Sequence, residues 1–160
     1  MKARIDLMRG NTKLVQSMLA MQGLVEAGGL DAKLLYLVQM RASQINGCAY
    51  CLDMHSKDAR ATGETEQRLY GLEAWRETPY YNERERAALE WTEAVTLVAA
   101  THVPDSVYEN VSAQFSEEEI KTLTLAVAMI NMWNRLNVAL RTVPGDYKPG
   151  MFRELRRAQA

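Results

Sequence analysis

Residues 43–60, SQINGCAYCLDMHSKDAR, decide how this chain is read. They hold both cysteines of the 160-residue chain and one of its two histidines. On a helix that begins near Cys48, Cys48 and Cys51 lie three positions apart and Cys51 and His55 four, so all three share one face. The interruption QING, residues 44–47, places the first turn of that helix at Cys48. Two cysteines there can close a disulfide with little backbone movement, and the free N–H groups and positive helix end favour thiolate over thiol. His55, one turn beyond Cys51, is placed to accept the thiol proton or to hold the thiolate as an ion pair. A free thiol titrates near pH ~8.5, so such neighbours decide whether it reacts at neutral pH.

Two other readings compete. A structural zinc site takes four ligands and a catalytic one three. Cys48, Cys51, His55 and His102 would use every cysteine and histidine in the chain, and a Cys-x-x-Cys with its histidine on the same helix makes a poor tetrahedral frame. The third reading is two small buried apolar residues and an incidental histidine, since free cysteine packs well in cores. The placing of His55 one turn after Cys51 favours thiol chemistry, and neither a metal nor a cofactor is expected.

Working outward, 48% hydrophobic and 24% charged residues are ordinary for a globular protein, and 160 residues suit one domain spanning 1–160. A net charge of -1 without a basic block argues against nucleic acid or an anionic membrane surface as partner. No apolar run approaches the length of a membrane span. The first residues, MKARIDLMRGNTKL, are charged and lack the apolar stretch of a signal peptide, so a cytoplasmic protein is expected. In a reducing compartment a cysteine pair is more often redox-active than a permanent cross-link.

Apolar residues recur at three- and four-residue spacing almost throughout, and the expected fold class is all-α. A first helix is predicted over residues 12–26, with Leu14, Met18, Met21 and Val25 on one face, ended by AGGL at 27–30. Asp31 caps a second helix running to 42 or 43, and a third spans about 48–61. TGET, residues 62–65, caps a fourth that reaches Trp75. After a loop at 76–82 a long helix is expected over 83–100, then a short one from Pro104 and Asp105 to about 114. Ser116 and Glu119 form a capping signature for a helix reaching Leu140. A loop at 143–150 precedes a short basic helix, read as solvated or as an interface. LVQMRASQIN at 37–46 and TLTLAVAMIN at 122–131 both end in Ile-Asn, a faint echo of two halves. Trp75, Trp91, Met129, Met132 and Trp133 read first as core. The charges of 81–91 read as a solvated helix start, and His102 as an exposed loop residue.

RASQINGCAYCLDMHSKDARATGE (41–64), followed by AWRETPYYNERERAALEWTEAVT (74–96), resembles the AhpD-like alkylhydroperoxidases of the carboxymuconolactone decarboxylase superfamily, most strongly over residues 34–96. The resemblance implies an all-helical, AhpD-like bundle with the Cys-x-x-Cys at a helix N-terminus, assembled as a homo-oligomer, commonly a trimer or hexamer. It implies a peroxidase that reduces hydrogen peroxide or organic hydroperoxides through the cysteine pair, restored by a dithiol of the lipoyl type or another thiol donor. By the resemblance Cys51 is the peroxidatic cysteine served by His55, and Cys48 the resolving one and the more accessible to a reductant. The helix-end argument alone would instead favour Cys48 as the stronger thiolate. Twelve residues before the first cysteine, where the family usually has the glutamate of a proton relay, stands Tyr36. Tyr50 occupies the place of a second relay residue. A phenol titrating near pH ~10 is a poor base, so weaker peroxidase activity is expected. Glu83, Glu85 or Glu90 is the expected source of a substitute carboxylate. A disulfide oxidoreductase with little peroxidase activity, or a redox-sensing oligomer without enzymatic activity, are the alternatives. The lactone decarboxylase branch lacks the thiol pair, which argues against decarboxylation.

Overall fold

Capping side chains and apolar periodicity set the helices of this chain. The computed structural model describes residues 2–9 and 12–157. Its elements are α1 (Thr12–Glu26), α2 (Ala32–Ile45), α3 (Ala49–Ala61), α4 (Glu66–Tyr70), a 3-10 segment (Gly71–Glu77), α5 (Glu83–Thr96), α6 (Val98–Thr101), α7 (Asp105–Ser112), α8 (Glu117–Leu140) and α9 (Met151–Arg157). No strand occurs among the described residues, so the all-α expectation holds. The Asp31 carboxylate accepts from the backbone N–H groups of Lys33 and Leu34 and starts α2. Ser116 and Glu119 close the expected reciprocal box at the start of α8, and Asn82 with Glu85 closes a second one at α5. Each box satisfies N–H groups that the first turn would otherwise leave bare.

Three expectations are corrected. The long helix of 83–100 breaks at Leu97 (φ -98°, ψ 28°). The Thr101 hydroxyl donates to the Ala94 carbonyl at 2.7 Å, taking up an acceptor that the broken ladder frees. The fourth helix tightens into the 3-10 segment from Gly71, which lies against the Tyr80 ring. On α1 the buried stripe is Val15, Leu19 and Val25, while Leu14 and Met21 are exposed. The stripe is one position out of step with the reading at Val15 and Leu19 and meets it at Val25, because α8 and α9 cover that side of the helix.

α2 is the pillar, packed by α3, α5 and α8 and buried on every side from Leu34 to Met40, Gln39 included. Leu34, Val38, Ala88, Trp91, Leu123 and Val127 form the main core between α2, α5 and α8. Leu37, Met40, Ala59, Leu72, Trp75 and Leu89 form a second. Trp75, Trp91 and Met129 are thus core as expected, whereas Met132 and Trp133 are half-buried. The Ile-Asn echo marks a contact: Asn46 at the end of α2 donates to Asn131 of α8 at 3.0 Å. No helix among the described residues is long and apolar enough to cross a membrane.

Candidate active site

Gly47, at φ 63°, turns the chain out of α2 and delivers Cys48 as the N-cap of α3. Only a residue without Cβ adopts that left-handed turn at little cost. The Cys51 N–H donates to the Cys48 sulfur at 3.4 Å, the sulfurs are at bonding distance and the Cα atoms are 5.4 Å apart. Both residues are 1% exposed, so Cys48 is not the more accessible of the two in this chain. Cys48 sits among Ala42 and Ile130. Cys51, and not Cys48, lines a cavity of about 290 Å³ that it shares with His55, Tyr36, Tyr50, Gln39 and Asn137.

The pair is held from α8 by asparagines spaced three apart. Asn131 and Asn134 accept from the Asn46 side chain at 3.0 and 2.9 Å, and Asn134 donates to the Ser43 hydroxyl at 3.0 Å. Asn137 donates to the Cys51 sulfur at 3.6 Å. The N-x-x-N-x-x-N spacing of 131–137 was the available signal, since three amides on one face of an apolar helix need buried partners.

His55 is 7% exposed, and neither ring nitrogen has a hydrogen-bond partner. Burial pushes its imidazole down to about 3, so with the cysteines joined the ring is neutral. A thiolate at Cys51 would draw that value back up by attraction. The Tyr36 hydroxyl accepts from the Arg153 guanidinium, and burial, opposed by that cation, raises its pKa. Burial also raises Tyr50. Neither phenol is a base in this setting.

The substitute carboxylates expected on α5 are elsewhere. Glu85 pairs with Arg68 at 2.6 Å, Glu90 accepts from Asn110 at 2.9 Å, and neither they nor Glu83 line the cavity. The acids that do are Asp6, Glu26 and Asp58. Glu26 lies 3.6 Å from the Arg153 guanidinium and accepts from Gln22 at 3.2 Å. Asp58 accepts from the Tyr147 hydroxyl at 2.9 Å and the Gly150 N–H at 3.0 Å.

The C-terminal part of the chain completes the wall, while Met151, Arg153 and Glu154 of the helix read as solvated or as an interface are exposed; residues 158–160 of that reading lie outside the described residues. Lys57 donates to the carbonyls of Gly145 and Tyr147 at 2.8 and 3.2 Å, and Asp53 accepts from the Gly145 N–H at 3.0 Å. Tyr147 stacks on Phe152 with centroids 5.6 Å apart, so Phe152 and Arg153 reach the cavity. Trp133 lines it too. His102 is exposed at the C-terminus of α6 and takes no part. Among the described residues no three His, Cys, Asp or Glu side chains group as metal ligands.

This geometry has relatives. The model of the Carboxymuconolactone decarboxylase family matches residues 13–94, from α1 through most of α5. YdfG, an uncharacterised protein of Bacillus subtilis (strain 168), is 42% identical over 123 residues, 77% of this chain and 84% of that one. YnjA of Escherichia coli (strain K12), also uncharacterised, is 32% identical over 112 residues, 69% of this chain and 60% of the relative. A crystal structure of an Agrobacterium tumefaciens protein of unknown function, with a suggested assignment as the antioxidant defence protein AhpD, superposes with a TM-score of 0.88. It is 40% identical and covers 91% of this chain and 100% of its own. The chain belongs to the Carboxymuconolactone decarboxylase family and is AhpD-like within it.

Proposed function

We propose that the protein is a thiol-dependent peroxidase acting through Cys48 and Cys51 in antioxidant defence. The observation that carries the reading is the split between the sulfurs: Cys51 opens onto a cavity shared with His55, while Cys48 stands behind it at bonding distance. The suggested AhpD assignment of the Agrobacterium structure supports it.

Cys51 thiolate attacks the outer oxygen of a hydroperoxide. An S–O bond forms, the O–O bond breaks, and the alcohol leaves after taking a proton, giving a sulfenic acid. The Cys48 thiol then condenses with it, releasing water and forming the disulfide. Two electrons and two protons return from a dithiol of the lipoyl type or another thiol donor. His55 takes the Cys51 proton and passes it to the departing oxygen. Asn137 donates to the sulfur and favours its anion. Tyr36, held by Arg153, stands where the relay acid would be and orders the cavity wall. We place the enzyme in the cytoplasm as a homo-oligomer, a trimer or hexamer.

Stopped-flow oxidation of the reduced protein by hydrogen peroxide and an organic hydroperoxide tests this, with Cys51→Ser as control. Wild type should react at least about a hundredfold faster than a free thiol, the contribution expected of a placed proton acceptor. Cys51→Ser should fall to the free-thiol rate. A wild-type rate no faster than a free thiol would overturn the peroxidase reading. One observation favours a second reading, a disulfide oxidoreductase: no partner holds either nitrogen of His55 to make it a stronger base. Fast dithiol–disulfide exchange without peroxide reactivity would establish that alternative.

A further inference from the structure

We propose that the Cys51 cavity is a binding site for a compact, neutral, mainly apolar molecule with one group that both donates and accepts hydrogen bonds, and that Gln39 reads that group. This deepens the peroxidase reading by naming its substrate as a small uncharged hydroperoxide and not an anionic one, and rests on that reading for the chemistry alone.

Four buried side-chain atoms among the described residues have no hydrogen-bond partner: Gln39 Oε1, His55 Nδ1, His55 Nε2 and Thr142 Oγ1. All belong to residues that line this cavity. They come from α2, from α3 and from the turn after α8, so three separate parts of the chain converge on one space. Gln39 is 4% exposed and His55 7%, so bulk water does not satisfy them. Buried polar groups in folded proteins are otherwise partnered almost without exception, so a cluster of unmatched groups facing one cavity marks where ordered water or a ligand's polar group is held.

Their chemistry specifies that group. The Gln39 oxygen only accepts, the neutral imidazole of His55 offers one donor and one acceptor, and the Thr142 hydroxyl does both. A hydroperoxide or a hydroxyl complements such a set. Charge excludes an anion: Asp6, Glu26 and Asp58 line the cavity against one guanidinium, that of Arg153, already engaged by Glu26 and the Tyr36 hydroxyl. The rest of the wall is apolar, with Leu7, Leu19, Met54, Trp133 and Phe152. A volume of about 290 Å³ holds roughly ten water-sized groups, the small end of ligand sites. Exposed Ile5, Met8 and Val143 form its mouth.

The test is calorimetric binding to the oxidised protein, in which no thiol can react. Three probes share one apolar body: 2-phenylpropan-2-ol, its isostere tert-butylbenzene, and the anion 2-methyl-2-phenylpropanoate. The alcohol should bind wild type about tenfold more tightly than either other probe, the worth of one buried hydrogen bond. Gln39→Leu should bring the alcohol to the level of tert-butylbenzene without weakening the hydrocarbon. Thr142→Val gives a second, smaller loss. Carboxylate binding as tight as the alcohol, an unchanged alcohol affinity in Gln39→Leu, or no binding of any probe would each overturn the proposal. The three-probe comparison needs no variant, so a variant that fails to fold does not rescue the idea. Peroxide inertness with selective alcohol binding would sink the peroxidase reading and leave this site standing.

Discussion

Gln39 and Arg41 lie two positions apart on α2, so their side chains leave it in different directions. Arg41 enters a cluster in which every group is matched. Its Nε donates to Glu93 at 2.7 Å, the Trp75 indole N–H to the same oxygen at 2.8 Å, and Arg76 to the other at 2.6 Å. Burial alone would raise the Glu93 pKa, but those three donors together hold it below the usual carboxylate range. Gln39 enters a cavity where it, His55 and Thr142 have unmatched atoms. Both regions bury polar groups beside the same helix, and the matched one ties α2 and the 3-10 segment to α5. The unmatched one gives up stability for a place where chemistry can occur, the usual signature of a site and not of a scaffold.

The difference is open to attack by pH first. His55 has its folded-state value pushed down to about 3 from 6.5, so the folded protein binds fewer protons than the unfolded chain between those values. Its stability is complete above 6.5 and is lost as pH falls, by up to about 1.4 kcal/mol per unit across that window. Urea midpoints of the oxidised protein should decline from pH 6.5 downward, and His55→Leu should remove the decline above pH ~4.5, where carboxylates have yet to titrate. An unchanged slope in the variant would mean that His55 is not buried neutral.

Glu93→Leu, on the matched side, should cost about 3 kcal/mol in urea denaturation, since it leaves the Arg41 Nε and the Trp75 N–H without an acceptor and the Arg41 charge without a carboxylate. A cost under about 1 kcal/mol would place this network with ordinary surface pairs. Asn134→Leu should cost about 2 kcal/mol, because it strands the Ser43 hydroxyl behind the cysteines and removes one of the acceptors of Asn46. Gln39→Leu should be the mildest change, within about 1 kcal/mol of wild type in either direction, because the oxygen it removes has no partner to lose. Gln39→Leu as damaging as Glu93→Leu would erase the contrast between the two regions.

Much of the scaffold was legible because capping is local. Asp31, Ser116 and Glu119 start their helices through bonds spanning two or three residues, which any reader of the chain can see. The break at Leu97 was not legible, because it depends on Thr101 reaching back seven residues to Ala94. The site divides in the same way. That α3 begins near Cys48 and that Cys48, Cys51 and His55 share one of its faces follow from spacing alone, whereas the burial of that face does not. Which sulfur opens onto the cavity does not, since Asn137, Trp133, Thr142, Phe152 and Arg153 all come from beyond residue 130. The expected carboxylates of α5 failed for the same reason: proximity along the chain to the motif says nothing about which face α5 turns to α2. By itself the sequence determined the all-helical pattern and the Cys48–Cys51–His55 face, because three- and four-residue geometry needs no distant partner. Only the tertiary structure decided that Cys51 faces the cavity, that Tyr36 is held by Arg153, and that His55 is left bare. Those are contacts between helices far apart in the chain, settled by which apolar faces bury one another.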